Sequence, residues 1–156
     1  MPNYDFKKDL AVATETEKRI SEHLVSKGYR FLCHCANADY DLKMETPSGE
    51  VITIEIKEDF LCKETGNIAV EYHCRQKPSG IATSRADFYL YRAHEPNGEK
   101  NLYVIETSSL KEMIEKKLWH RTVNGGDGGS NSLNYLFTLG VIKENFTFIG
   151  KLEGEK

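Results

Sequence analysis

Apolar residues recur at helical spacing near the start of the chain. Leu10, Ala13, Ile20 and Leu24 share one stripe across residues 5–27, and Gly28 supplies a stop. Glu17 interrupts that stripe with a carboxylate. Beyond Gly28 the period falls to two, the spacing of strands. Residues 29–35 and 40–45 read as strands, Thr46-Pro47-Ser48-Gly49 as a turn and residues 50–58 as a third strand that closes a hairpin. Residues 59–66 form a polar connection. Residues 67–74 read as a fourth strand with Ile68, Val70 and Tyr72 on one face and Ala69, Glu71 and His73 on the other.

Residues 75–79 read as a loop and 80–85 as the opening of a short helix. Strands follow at 87–92 and 102–106, joined by the turn Glu95-Pro96-Asn97-Gly98. Ser108 or Ser109 caps a helix through residue 117, with Leu110, Met113, Ile114 and Leu118 on its apolar face. The glycines of 125–130 favour a loop or a close backbone approach, and residues 133–139 and 145–149 read as terminal strands or an extended tail. With no internal repeat and no low-complexity linker, the pattern predicts a single α/β domain spanning residues 1–156.

Composition agrees with that picture. In 156 residues, 39% are hydrophobic and 29% charged, which suits a soluble chain with its own core. No apolar run nears the roughly 20 residues that span a bilayer, and no signal-peptide core opens the sequence. A cytoplasmic location is expected. The net charge of −3 (21 basic, 24 acidic residues) does not by itself announce a partner as acidic as DNA. A cation held by carboxylates, with local Lys and Arg, would reverse the field where it matters.

The chemistry concentrates in one strand. Alternation puts Glu55 and Lys57 on one face of Val51-Ile52-Thr53-Ile54-Glu55-Ile56-Lys57 and the isoleucines on the other. Asp41 arrives from the neighbouring strand. Two carboxylates and an amine so placed can hold a divalent metal beside a polarised water, the minimal equipment for phosphodiester hydrolysis.

Four cysteines, Cys33, Cys35, Cys62 and Cys74, are expected to be reduced thiols. Cys33-His34-Cys35 with His73-Cys74 invites a zinc-binding module. The spacing argues against it, because structural zinc sites favour ligand pairs two to four residues apart on a turn, and buried free thiols are the expectation.

Together these segments resemble the PD-(D/E)XK nuclease superfamily, whose signature here reads Asp41…Glu55-Ile56-Lys57. Its restriction-endonuclease-like core is a mixed sheet built on an antiparallel meander flanked by helices. Thr65-Gly66-Asn67-Ile68-Ala69-Val70-Glu71, Lys77-Pro78-Ser79-Gly80-Ile81 and Ala86-Asp87-Phe88-Tyr89 are similar to small phage and virus-type endonucleases. Tyr40 stands where the pattern has proline. Asp39, on the same face, is the alternative ligand; Asp41 falls where the pattern expects the acid.

The resemblance implies a Mg²⁺- or Mn²⁺-dependent deoxyribonuclease, with Asp41, Glu55 and the Ile56 carbonyl as ligands and Lys57 beside the attacking water. It adds Glu71 as a further acid and Glu17 as a helix carboxylate aimed into the same site. It implies DNA as partner, branched or single-stranded forms included, a homodimer where two strands are cut, and the host cytoplasm if the chain is phage-encoded. Arg75, Lys77, Ser79 and Arg85 suit a grip on flanking phosphates. Trp119 and His120 suit stacking on a base, although a partly buried Trp after a helix is the commoner arrangement. Asp127 either meets a second metal or shapes a turn. The alternative is an inactive nuclease-fold protein that binds nucleic acid or a protein.

Overall fold

The computed structural model describes residues 6–35, 40–124 and 132–152. In chain order the elements are α1 (Phe6–Ser26), β1 (Arg30–His34), β2 (Leu42–Glu45), β3 (Val51–Asp59), α2 (Cys62–Thr65), β4 (Asn67–Cys74) and β5 (Lys77–Pro78). A 3₁₀ turn (Gly80–Ala82) follows, then β6 (Phe88–His94), β7 (Lys100–Glu106), α3 (Thr107–Glu115), β8 (Arg121–Asn124), β9 (Ser132–Thr138), α4 (Leu139–Asn145) and β10 (Thr147–Gly150).

The class is mixed α/β. Six strands form one sheet in the order β1-β2-β3-β6-β7-β10, and four form a second in the order β5-β4-β9-β8. In the first, β1, β2 and β3 make an antiparallel meander while β6 runs parallel to β3. A parallel neighbour needs a long crossover, and α2, β4, β5 and the 3₁₀ turn supply it. Asp87 pins the start of that pairing. Its Oδ2 accepts from the Thr53 N–H at 2.8 Å, and its own N–H donates to the Thr53 carbonyl at 3.0 Å.

Two cores lie on opposite faces of the six-stranded sheet. On one, Ile20 of α1 packs with Leu42, Met44, Ile54, Ile56, Leu90 and Leu102. On the other, Tyr89, Tyr91, Tyr103 and Ile105 meet Ile68 and Val70 of β4, Phe137 of β9 and Leu110 of α3. Asp59, at the end of β3, fastens the second sheet to the first. Its carboxylate accepts from the Cys62 N–H at 3.0 Å and the Ala69 N–H at 2.9 Å.

Several expectations are corrected. The fourth strand has its expected bounds and belongs to the second sheet. The stretch after it is a tight hairpin rather than a loop, with Arg75 (φ 52°) and Gln76 (φ 66°) left-handed as a two-residue turn demands. Ser108 and Ser109 lie inside α3, whose N-cap is Glu106, because β7 runs directly into the helix. Leu118 falls past that helix and is 37% exposed, and Leu10, expected on the buried stripe, is 54% exposed. Thr16 and Ser21 are buried alongside Ile20 instead. Residues 121–124 form an unforeseen strand, and an equally unforeseen helix, α4, fills residues 139–145 between the two segments read as strands or tail.

No described helix is long and apolar enough to cross a membrane.

Candidate acidic site

β3 presents the candidate chemistry through its alternation: Ile54 and Ile56 enter the α1 core, and Glu55 and Lys57 face the other way. The parallel register sets Glu55 beside Tyr89 and Lys57 beside Tyr91. Asp41, just ahead of β2, clamps onto the opposite edge. Its N–H donates to the Ile54 carbonyl at 3.0 Å, and its Oδ2 accepts from the Ile56 N–H at 2.7 Å. These two bonds bracket Glu55, so Asp41, Glu55 and Tyr89 form a row across three adjacent backbone segments. Strand geometry turns the Ile56 carbonyl to the same edge as its N–H.

The row is electrostatically tense. Burial, the largest cause, pushes the Glu55 carboxyl up to about 7; Lys57 opposes the rise, while Asp41 adds to it as hydrogen-bond partner and as like charge. Lys57 Nζ lies 3.4 Å from Glu55 Oε1, but the lysine is 40% exposed and Glu55 only 15%. Glu17 reaches the same field from α1. Burial raises its carboxyl first, Asp41 raises it further, and Lys57 lowers it.

Glu71 approaches from the second sheet. Its Oε2 accepts from Ser79 Oγ at 2.9 Å, and it shares with Lys57 the lining of a cleft of about 440 Å³ that also includes Gly80, Tyr89, Tyr91 and Arg121. Gly80 has φ +53°, and a Cβ there would sit 2.1 Å from the Glu71 carbonyl oxygen. Only glycine lets the 3₁₀ turn press onto β4 and deliver Ser79 to Glu71.

The structure thus gathers Asp41, Glu55 and Lys57 at contact distance, Glu17 within their field, and Glu71 across the shared cleft. Arg75, Lys77 and Arg85 are exposed, on the β4–β5 hairpin and ahead of β6. Ser79 spends its hydroxyl on Glu71. Trp119 is half-buried, its Nε1 donating to the Ile114 carbonyl at 3.3 Å and its ring packed on Tyr135; His120 is exposed. Asp39 and the segment holding Asp127 lie outside the described residues.

All four cysteines are free thiols, but only Cys62 is buried; Cys33, Cys35 and Cys74 are half-exposed, against the expectation of burial. Two residues of the site escaped the sequence reading. Arg121 lies on the unforeseen β8. Tyr89 was visible only as part of a motif, although alternation pairs it with Tyr91.

Among the described residues, no three His, Cys, Asp or Glu side chains converge closely enough to enclose a metal by themselves. The oxygens present suit an open site for a hard cation. Mg²⁺ uses one or two carboxylates and keeps several waters, and a divalent charge would relieve the repulsion between Asp41 and Glu55.

No family model and no curated protein matches the chain. A solved structure of a bacterial homing endonuclease, I-Ssp6803I, is similar over 67% of this chain and 71% of its own, at 18% identity and a TM-score of 0.46.

Proposed function

We propose that this chain is a metal-dependent nuclease of the PD-(D/E)XK kind that hydrolyses DNA phosphodiester bonds. One observation carries the reading: Asp41 is clamped to the Ile54 and Ile56 peptides so that its carboxylate adjoins Glu55, with the Lys57 amine alongside. Asp41, Glu55 and the Ile56 carbonyl would hold Mg²⁺ or Mn²⁺. When bound, the ion supplies Lewis acidity and makes water nucleophilic near neutral pH.

The chain's own groups do the rest. Lys57, 40% exposed at the cleft wall, orients the attacking water and offsets the charge that develops on the phosphorane oxygens. Water oxygen bonds to phosphorus as the bond to the leaving sugar oxygen breaks, and no covalent enzyme intermediate forms. Glu17 and Glu71 add negative field that draws the cation in, and Ser79 fixes Glu71. Arg75, Lys77 and Arg85, which are exposed, and Arg121, which lines the cleft, would take flanking phosphates. DNA is the partner in this reading, with a homodimer where both strands are cut and the cytoplasm, or a phage host's cytoplasm, as the setting.

The test compares wild type, Lys57→Ala and Asp41→Ala on labelled single-stranded, duplex and branched DNA, in Mn²⁺ and in EDTA. Cleavage that needs Mn²⁺ and is lost in both variants is expected. Cleavage that survives EDTA, or persists unchanged in both variants, would end the proposal.

A further inference from the structure

The second sheet has two unlike faces. Ile68, Val70 and Phe137 turn into the core against the first sheet. Alternation sends their neighbours the other way: Ala69 and Glu71 on β4, Asn134 and Leu136 on β9. These four, with Arg121 and Val123 of β8, line the cleft of about 440 Å³ that Lys57 shares. Pairing register sets the six in two rows. Ala69, Leu136 and Arg121 are cross-strand neighbours, and so are Glu71, Asn134 and Val123. The first row is an apolar floor that ends in an exposed guanidinium on the free edge of the sheet. The second carries a carboxylate and an amide, and the Asn134 amide donates to Ser132 Oγ at 3.2 Å.

Lys57 ties this cleft to the acidic row, its Nζ 3.4 Å from Glu55 Oε1. Cations therefore stand at two points of the cleft, Lys57 beside the acidic row and Arg121 at the sheet edge. The acids that border it are engaged elsewhere. Asp59 accepts from the Cys62 and Ala69 N–H groups, Glu58 faces Arg92 and His94, and Glu71 holds Ser79. An apolar floor with an amide at its side and a cation at each end complements a nucleobase with a phosphate on either side. The volume falls in the range of small-ligand sites, about 300–1,000 Å³. It takes a single base but not a paired and stacked helix. Enzymes that bind a base this way read its edge by hydrogen bonds and its faces by apolar contact.

We propose that the cleft holds one unpaired base of the bound strand, next to the phosphate that Lys57 faces. Leu136 supplies the floor, Asn134 meets the base edge, and Arg121 takes the phosphate on the far side. The inference rests on DNA as the partner and deepens that reading. The substrate is a strand with unpaired nucleotides, single-stranded, frayed or branched, rather than continuous duplex.

The test measures binding by fluorescence anisotropy in Ca²⁺, using a short labelled single strand, its blunt duplex and a fully abasic strand of the same length. Wild type is expected to bind the intact strand about 10-fold more tightly than either the duplex or the abasic strand, the worth of one stacked base. Asn134→Ala is expected to weaken the intact strand about 3- to 10-fold, the worth of one hydrogen bond, and to leave the abasic strand unaffected. Equal affinity for duplex and single strand, an abasic strand that binds as well as the intact one, or the same Asn134→Ala loss on both strands would each overturn the inference. Cleavage of duplex and single strand at one rate in Mn²⁺ overturns it too and leaves the nuclease reading standing. The expected binding pattern without cleavage in Mn²⁺ ends the nuclease reading and leaves the base pocket. A wild type that binds no DNA removes both.

Discussion

β3 buries carboxylates on both of its faces and treats them in opposite ways. Glu58, on the α1 side, is 3% exposed and lies against the Arg92 guanidinium at 3.2 Å and the His94 ring, while Arg92 also donates to Thr16 at 2.9 Å. Oε1 of Glu58 has no hydrogen-bond partner among the described residues. Glu55, three residues earlier, faces another carboxylate and a lysine that is 40% exposed. The first arrangement supplies its own countercharge and so holds α1 to the sheet. The second sets two carboxylates against one partly exposed lysine, which suits a site that takes further countercharge from a ligand.

The contrast predicts separate failures. Glu58→Ala would strand Arg92 in the core and cost about 3–5 kcal/mol of stability, seen in denaturant titration, with cleavage per folded molecule retained. Loss of cleavage at unchanged stability would put Glu58 with the acidic row and break the comparison. Lys57→Ala should do the reverse: a fall of about 10²- to 10³-fold in kcat, as for removal of a donor at a developing charge, with the melting temperature little changed, because Lys57 is 40% exposed and Glu55, already raised by burial, can take up a proton when the amine is gone.

Gly80→Ala should cost about 1–3 kcal/mol through its left-handed φ, besides the clash with the Glu71 carbonyl. It should also loosen Ser79 from Glu71, so part of the cleavage rate is lost as well. A variant as stable and active as wild type would show that the 3₁₀ turn need not press on β4.

The smallest effect is in pH. The Glu55 carboxyl is raised in the folded state, so folded protein holds the proton more tightly than unfolded protein. Its contribution to stability is therefore present at low pH and is lost as pH rises from about 4.5, the ordinary value, to about 7. Mn²⁺ needs the ionised carboxylate. The stabilisation by Mn²⁺, read from melting, should grow as pH passes upward through about 7, toward about 2.7 kcal/mol at a hundredfold excess over Kd. A rise independent of pH would place the ion elsewhere.

Elements whose pattern is local were legible. The helical stripe located α1 to within a residue at each end, and β4 was bounded correctly, because alternation and turn chemistry act over a few neighbours. α4 was missed for the opposite reason. Its seven residues, Leu-Gly-Val-Ile-Lys-Glu-Asn, have weak helical propensity; the Thr138 side chain capping the Val141 N–H and the complete burial of Ile142 make it a helix. The Glu58–Arg92–His94 cluster was equally invisible, since its members meet only through the β3–β6 pairing.

At the candidate site the division is the same. That Glu55 and Lys57 share a face, away from Ile54 and Ile56, follows from the two-residue repeat of any strand and needed nothing but residue order. The bond from the Ile56 peptide to Asp41, the approach of Glu17, the meeting of Ser79 with Glu71 and the setting of Tyr89 beside Glu55 depended on which distant segments came to lie side by side. Backbone geometry sets the first kind of relation within one segment; pairing register and burial between segments set the second, and those exist only once the chain has folded.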